Sequence, residues 1–142
     1  MREILFRAKR VDNGEWVEGY FIKDDTTGQT FIHAQGNSVN ESQKIGEEGC
    51  LRFVAFEINP ETLCQYTGLM DENGRKIWEN DILVEKYKSI IYHTSKVIWD
   101  MKECAWMCAS TYGSIYKMNT IDLTGYEKIG NIFDNPELLE ED

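Results

Sequence analysis

Apolar and polar residues alternate with a period of two along most of this chain, the pattern of half-buried β-strands. The first run, ILFRAKRVDNGEWVEGYFI, holds two such stretches joined at Asn13-Gly14. That dipeptide between β-rich runs is the strongest short hairpin cue. In the second stretch Trp16, Glu18 and Tyr20 face one way and Val17, Gly19 and Phe21 the other. KDDTTGQT reads as a polar turn, TFIHA as a short strand, and residues 35–49 as a polar loop or insertion. CLRFVAFEI resumes a strand, with Leu51, Phe53 and Ala55 against Arg52, Val54 and Phe56.

Asn59-Pro60 interrupts this pattern and biases Asn59 towards extended backbone. One domain over 1–142 is expected, with possible subdomains 1–59 and 60–142. Beyond the proline, ETLCQYTGL gives a strand or short turn, and Asn73-Gly74 a second tight turn. DILVEKY and SIIYHTSKVIWD read as strands separated by Lys88-Ser89, and ECAWMCAS as a further strand. Residues 121–133, IDLTGYEKIGNIF, fit a short helix or a strand, and Gly130 counts against a long helix. Pro136 after Asn135 marks a helix start before an acidic tail. The expected fold class is mainly β with minor α.

At 142 residues, 42% of them hydrophobic and 12% aromatic, the chain has enough apolar material for a core. No apolar run approaches the roughly 18 residues of a membrane span. MREILFRAKR contains no long apolar stretch of a secretory signal, so a cytoplasmic location is expected. The net charge of −10 changes the functional picture more. A duplex-binding domain needs a basic face that releases counterions from phosphates. Here Arg2, Arg7, Lys9 and Arg10 form the main basic cluster, and strand alternation splits it between two faces. Direct nucleic-acid binding is therefore disfavoured.

The candidate chemistry lies in QYTGLMDENGRKIWENDIL, residues 65–83. Asp71, Glu72, Glu79 and Asp81 could form an acidic active-site loop, which requires burial or a shared site to separate their pKa values. The turn reading is stronger, because Asp71 and Glu72 precede Asn73-Gly74 and Glu79 and Asp81 flank Asn80. An EF-hand is excluded by Arg75 and Ile82 at ligand positions. His33 and His93 lie in strand-like runs, with no ligand spacing around them. Nucleophile-elbow, dinucleotide-binding and P-loop sequences are absent. Cys104, Trp106 and Cys108 would share one strand face, which favours burial over zinc; Cys50 and Cys64 stand apart. Trp16, Trp78, Trp99 and Trp106 fit core and interface packing better than base stacking, for want of flanking Lys and Arg. No catalytic, cofactor-binding or metal-ligating residue is assigned, and no cofactor is expected.

Three blocks in register, ILFRAKRVDNGEWVEGYFI, INPETLCQYTGLMDENGRKIWENDIL and IGNIFDNPELLE, resemble the YopX family of phage and prophage proteins. The resemblance runs from Met1 to Glu141, with departures at Ala8, in the 35–49 loop and over 100–124. It implies a mainly β domain whose central block resembles the start of a small SH3-like barrel. It carries over no catalytic residues. The expectation is a non-catalytic accessory protein of the bacterial host's cytoplasm, acting through protein–protein contact, as a homo-oligomer or on a host protein. Two alternatives stay open. One is an acidic nucleic-acid mimic that binds a DNA-handling enzyme. The other is a metal-dependent hydrolase built on Glu79, Asp81 and a His.

Overall fold

The computed structural model describes residues 2–34, 54–120 and 123–140. The 35–49 loop, Cys50, and residues 51–53 of the strand expected around Val54 lie outside the described residues. The chain divides into two units, Met1–Gln65 and Tyr66–Asp142, each described by itself below.

In the first unit, β1 (Phe6–Lys9), β2 (Trp16–Lys23), β3 (Thr30–Ala34) and β4 (Val54–Glu57) form an antiparallel sheet in the order β4-β3-β2-β1. The Asn13-Gly14 hairpin forms, with a twist on the sequence expectation. Arg10 N–H donates to Glu15 O and Gly14 N–H to Arg10 O, so the loop holds four residues. Only Gly14 is left-handed, at φ 72°. This is the longer hairpin loop that closes on a left-handed glycine, rather than the two-residue turn that Asn-Gly also favours.

Strand alternation decides what is buried. Val17 and Gly19 point inward, and Glu18 and Tyr20 outward. Val17 joins Ala8, Ile32, Ala34, Val54, Phe56 and Ile58 in the core of this unit. Gly19 is required by close approach, since a Cβ there would lie 2.0 Å from the backbone oxygen of His33 on β3. The basic cluster is occupied by aromatic rings. The Arg7 guanidinium lies 4.6 Å and the Lys9 ammonium 5.4 Å from the Trp16 ring centre, while Arg10 covers Phe56 at 4.0 Å.

A 3-10 turn at Pro60–Thr62 follows Asn59, whose side chain accepts from Glu61 N–H. Strand β5 (Cys64–Met70) comes next. Its Cys64 and Gln65 pair with β1, and Tyr66 pairs with Trp78 of β6 (Lys76–Trp78). The division between units therefore falls inside β5, beyond the Asn59-Pro60 interruption.

The second unit is built on β7 (Asp81–Tyr87), β8 (Ile90–Asp100), β9 (Ala105–Ser110), β10 (Ile115–Lys117) and β11 (Tyr126–Asn131). All pair antiparallel in the order β10-β9-β8-β7-β11. Residues 126–131 are thus strand, and the register shifts between Lys128 and Gly130, where glycine argued against a helix. Ile82, Leu83 and Val84 of β7 are all buried, as a strand covered on both faces requires. Fully burying a side chain such as Leu83 contributes about 2 kcal/mol. Ile77, Val97, Cys108, Met118 and Tyr126 complete this core. Helical content among the described residues consists of short 3-10 turns, including the one that Pro136 opens. Among the described residues this ladder runs from β10 to β11.

Cys104 corrects the one-face expectation. It closes the β8–β9 turn at φ 49° and is exposed, whereas Trp106 is half-buried and Cys108 buried. The face alternation starts with the strand at Ala105 and does not extend into the turn.

Candidate functional site

Of the four acids in the central block, two become structural centres. Asp71 follows the last residue of β5 and opens a three-residue loop closed by Asp71 N–H to Arg75 O and Gly74 N–H to Asp71 O. Its carboxylate accepts from the backbone N–H groups of Asn73 and Arg75, at 3.0 and 2.9 Å, as a turn aspartate should. It does more than mark the turn. Its side chain is fully buried and also accepts from Arg75 Nε at 3.2 Å and from Lys128 N–H on β11 at 3.0 Å.

Burial pushes the Asp71 pKa up, but the N–H groups of Lys128, Arg75 and Asn73, with the Arg75 charge, outweigh it. The net shift is below the ordinary value of 3.8. A carboxylate so held is ionised at neutral pH and occupied by donors on both oxygens.

Asp81 departs from the turn reading. It is the first residue of β7, fully buried, and accepts from Trp78 N–H at 2.7 Å. The Lys128 ammonium lies 3.2 Å from the same carboxylate. One residue of β11 therefore meets both buried acids, a juxtaposition that sequence spacing gives no sign of. The network extends through Glu127, which pairs with Lys86 and lies 3.8 Å from Arg75. Arg75 also donates to Lys128 O at 2.6 Å. Its chemistry is that of a clamp, in which fixed charges fasten the β5–β6 turn and the start of β7 to β11.

Glu72 is exposed and Glu79 half-buried. His33 faces Tyr20 across the β2–β3 ladder, with ring centres 6.3 Å apart. His93 stands opposite Glu85 in the β7–β8 ladder and meets the Tyr112 ring edge-on at 6.2 Å. Among the described residues, no group of three His, Cys, Asp or Glu is placed to hold a metal ion.

The second feature is a surface. The β7–β8 hairpin pairs Tyr87 with Ile90 across its tip, and Tyr87 packs against Tyr92 at 6.3 Å. A register shift between Glu85 and Lys86 makes Tyr92 the extra residue of β8 and brings His93 next to it. Tyr112 extends the row, its loop tied to β8 by Thr111 N–H donating to Thr94 O. Tyr87, Ile90, Tyr92 and Tyr112 are 60, 59, 50 and 74% exposed. The tip itself, Lys88-Ser89, is left-handed at both residues, at φ 49° and 67°. Lys88 lies 5.4 Å from the Tyr87 ring centre.

The family model described as YopX protein matches residues 5–140. The crystal structure of protein EF1440 from Enterococcus faecalis is similar over 99% of this chain and 100% of that one. The two are 26% identical, with a TM-score of 0.52. A search of curated proteins finds no matching relative. The family match covers both units and all of the clamp and the aromatic row, so the chain belongs to the YopX family.

Proposed function

We propose that this protein is a non-catalytic accessory protein of a phage or prophage, working in the bacterial cytoplasm through protein–protein contact, self-assembly included. The observation that carries this reading is the row of exposed tyrosines and isoleucine on the β7–β8 hairpin. Large apolar side chains gathered on one strand pair and left in water mark contact surfaces. Tyrosine is favoured there because it offers broad contact area with little side-chain entropy to lose. The buried acids support the same reading from the other side. Asp71 and Asp81 have their oxygens engaged by backbone N–H groups, Arg75 and Lys128, so both serve the fold.

The test is chemical cross-linking in a bacterial host followed by affinity capture and mass spectrometry. It compares the tagged wild type with a Tyr87→Ser/Tyr92→Ser variant. The expected outcome is that cross-linked polypeptides, whether this chain or a host protein, diminish in the variant. Identical captured sets from both proteins would remove the hairpin from the contact surface and the reading with it.

A further inference from the structure

We infer that the occupant of the β7–β8 tyrosine row is a second copy of this chain, docked row against row about a two-fold axis. The inference rests on the contact reading above and names its partner. Two observations carry it.

The first is area. With roughly 200 Å² of surface for a large side chain, the exposed fractions of Tyr87, Ile90, Tyr92 and Tyr112 leave on the order of 500 Å² free. Two rows face to face remove up to about 1,000 Å² before any rim contact is counted, which reaches the threshold of a specific interface. A two-fold contact reaches that size from one patch, because each copy contributes the same surface.

The second is charge. Each copy carries a net −10, so two copies repel wherever their acidic faces meet. Around the row the carboxylates of two described residues are engaged within the chain. Glu85 holds a hydrogen bond with the Tyr126 hydroxyl, and Glu127 pairs with Lys86. At the tip the cation of Lys88 lies over Tyr87, so the four described charges here, Glu85, Lys86, Glu127 and Lys88, sum to zero. Among the described residues the row is therefore a locally neutral place for two acidic copies to approach. In an antiparallel two-fold arrangement the two Lys88 side chains lie at opposite ends of the contact.

Sedimentation equilibrium from about 0.1 to about 100 µM, joined to capture of untagged protein by tagged wild type, tests this. Wild type is expected to reach twice 16.5 kDa and stop there. Tyr87→Ser/Tyr92→Ser is expected to weaken association about a hundredfold, with unchanged melting, and to escape capture by tagged wild type. Escape is the discriminating result, because a two-fold contact needs the row on both copies. If the tagged wild type still captures the variant, the contact is head-to-tail or lies elsewhere, and the inference falls. Mass that keeps growing with concentration overturns it equally. A wild type that stays monomeric while the variant loses host contacts removes the second copy but keeps the contact reading; a monomer with unchanged contacts removes both. Tyr112→Ser, in a loop outside the ladders, repeats the test should the double variant melt early.

Discussion

The Lys128 ammonium sits 3.2 Å from the carboxylate of Asp81, which is fully buried at the start of β7, while the lysine side chain keeps 19% of its surface exposed. This unequal burial makes the pair asymmetric. Removing the ammonium leaves a buried carboxylate without its countercharge, which costs about 3–5 kcal/mol. Removing the carboxylate's charge leaves an ammonium close to water. Lys128→Met is therefore expected to destabilise by about 3 kcal/mol, and Asp81→Asn by clearly less, since asparagine still offers an oxygen to Trp78 N–H. The double variant should regain part of the Lys128→Met loss. Urea unfolding of the four proteins in the cycle measures this, and equal losses for the two single variants would contradict the asymmetry.

Asp71 predicts how stability falls in acid. Its folded pKa is held below the ordinary value of 3.8 by backbone N–H groups and Arg75, against the opposing effect of burial. The folded state thus favours the ionised form. The stabilisation is present above pH 3.8 and is lost as the pH falls through the lower folded value. Asp71→Asn has no charge to lose there. The stability gap between wild type and Asp71→Asn should be constant near neutrality and narrow below pH 4. Urea midpoints measured from pH 7 down to pH 3 read it directly, and a gap that stays constant through this range would show that Asp71 titrates normally.

Local patterning made most of the strands, both Asn-Gly turns and the face alternation around Val17 and Val54 legible from sequence alone, since period-two burial follows from strand geometry. Family membership was legible for the same reason, in blocks made of those turns and strands. What stayed hidden was long-range. The turn chemistry of Asp71 hides the fact that its second oxygen receives Lys128, which is 57 residues away in sequence. Asp81 looks like turn composition beside Asn80, yet it is the first residue of a strand buried on both faces. Tyr87, Ile90 and Tyr92 alternate like any strand residues. Only the register shift and the neighbouring Tyr112 loop show that they gather on an exposed tip.

That tip carries local strain. Lys88 and Ser89 both occupy left-handed backbone, at φ 49° and 67°, in a two-residue turn that Asn-Gly fits without penalty. For ordinary residues the left-handed conformation costs roughly 1–2 kcal/mol each, part of which glycine returns through greater freedom in the unfolded chain. Lys88→Asn/Ser89→Gly is expected to stabilise the protein by about 1 kcal/mol. Self-association should survive, since Tyr87, Ile90 and Tyr92 are untouched. Thermal melting and sedimentation of the same variant check both halves. Loss of stability would mean that Lys88 over Tyr87 contributes more than the turn costs.

The cysteines differ in environment enough to be separated by reagent. Cys104 is exposed in the β8–β9 turn. Cys108 lies in the core of the second unit, where burial pushes its thiol up to about 12. Cys64 is buried, and its sulfur donates to Thr62 O at 3.3 Å. At pH 8 a thiol with a pKa near 12 is ionised in only about one molecule in ten thousand, and thiolate is the reacting species. In a Cys50→Ser background, a disulfide-exchange reagent at pH 8 is expected to modify one thiol quickly, and Cys104→Ser should abolish that phase. Cys64 and Cys108 should react only after urea unfolding. Fast modification of a second thiol in the folded protein would mean that one of the two buried sites opens readily, and peptide mapping of the labelled cysteine would show which.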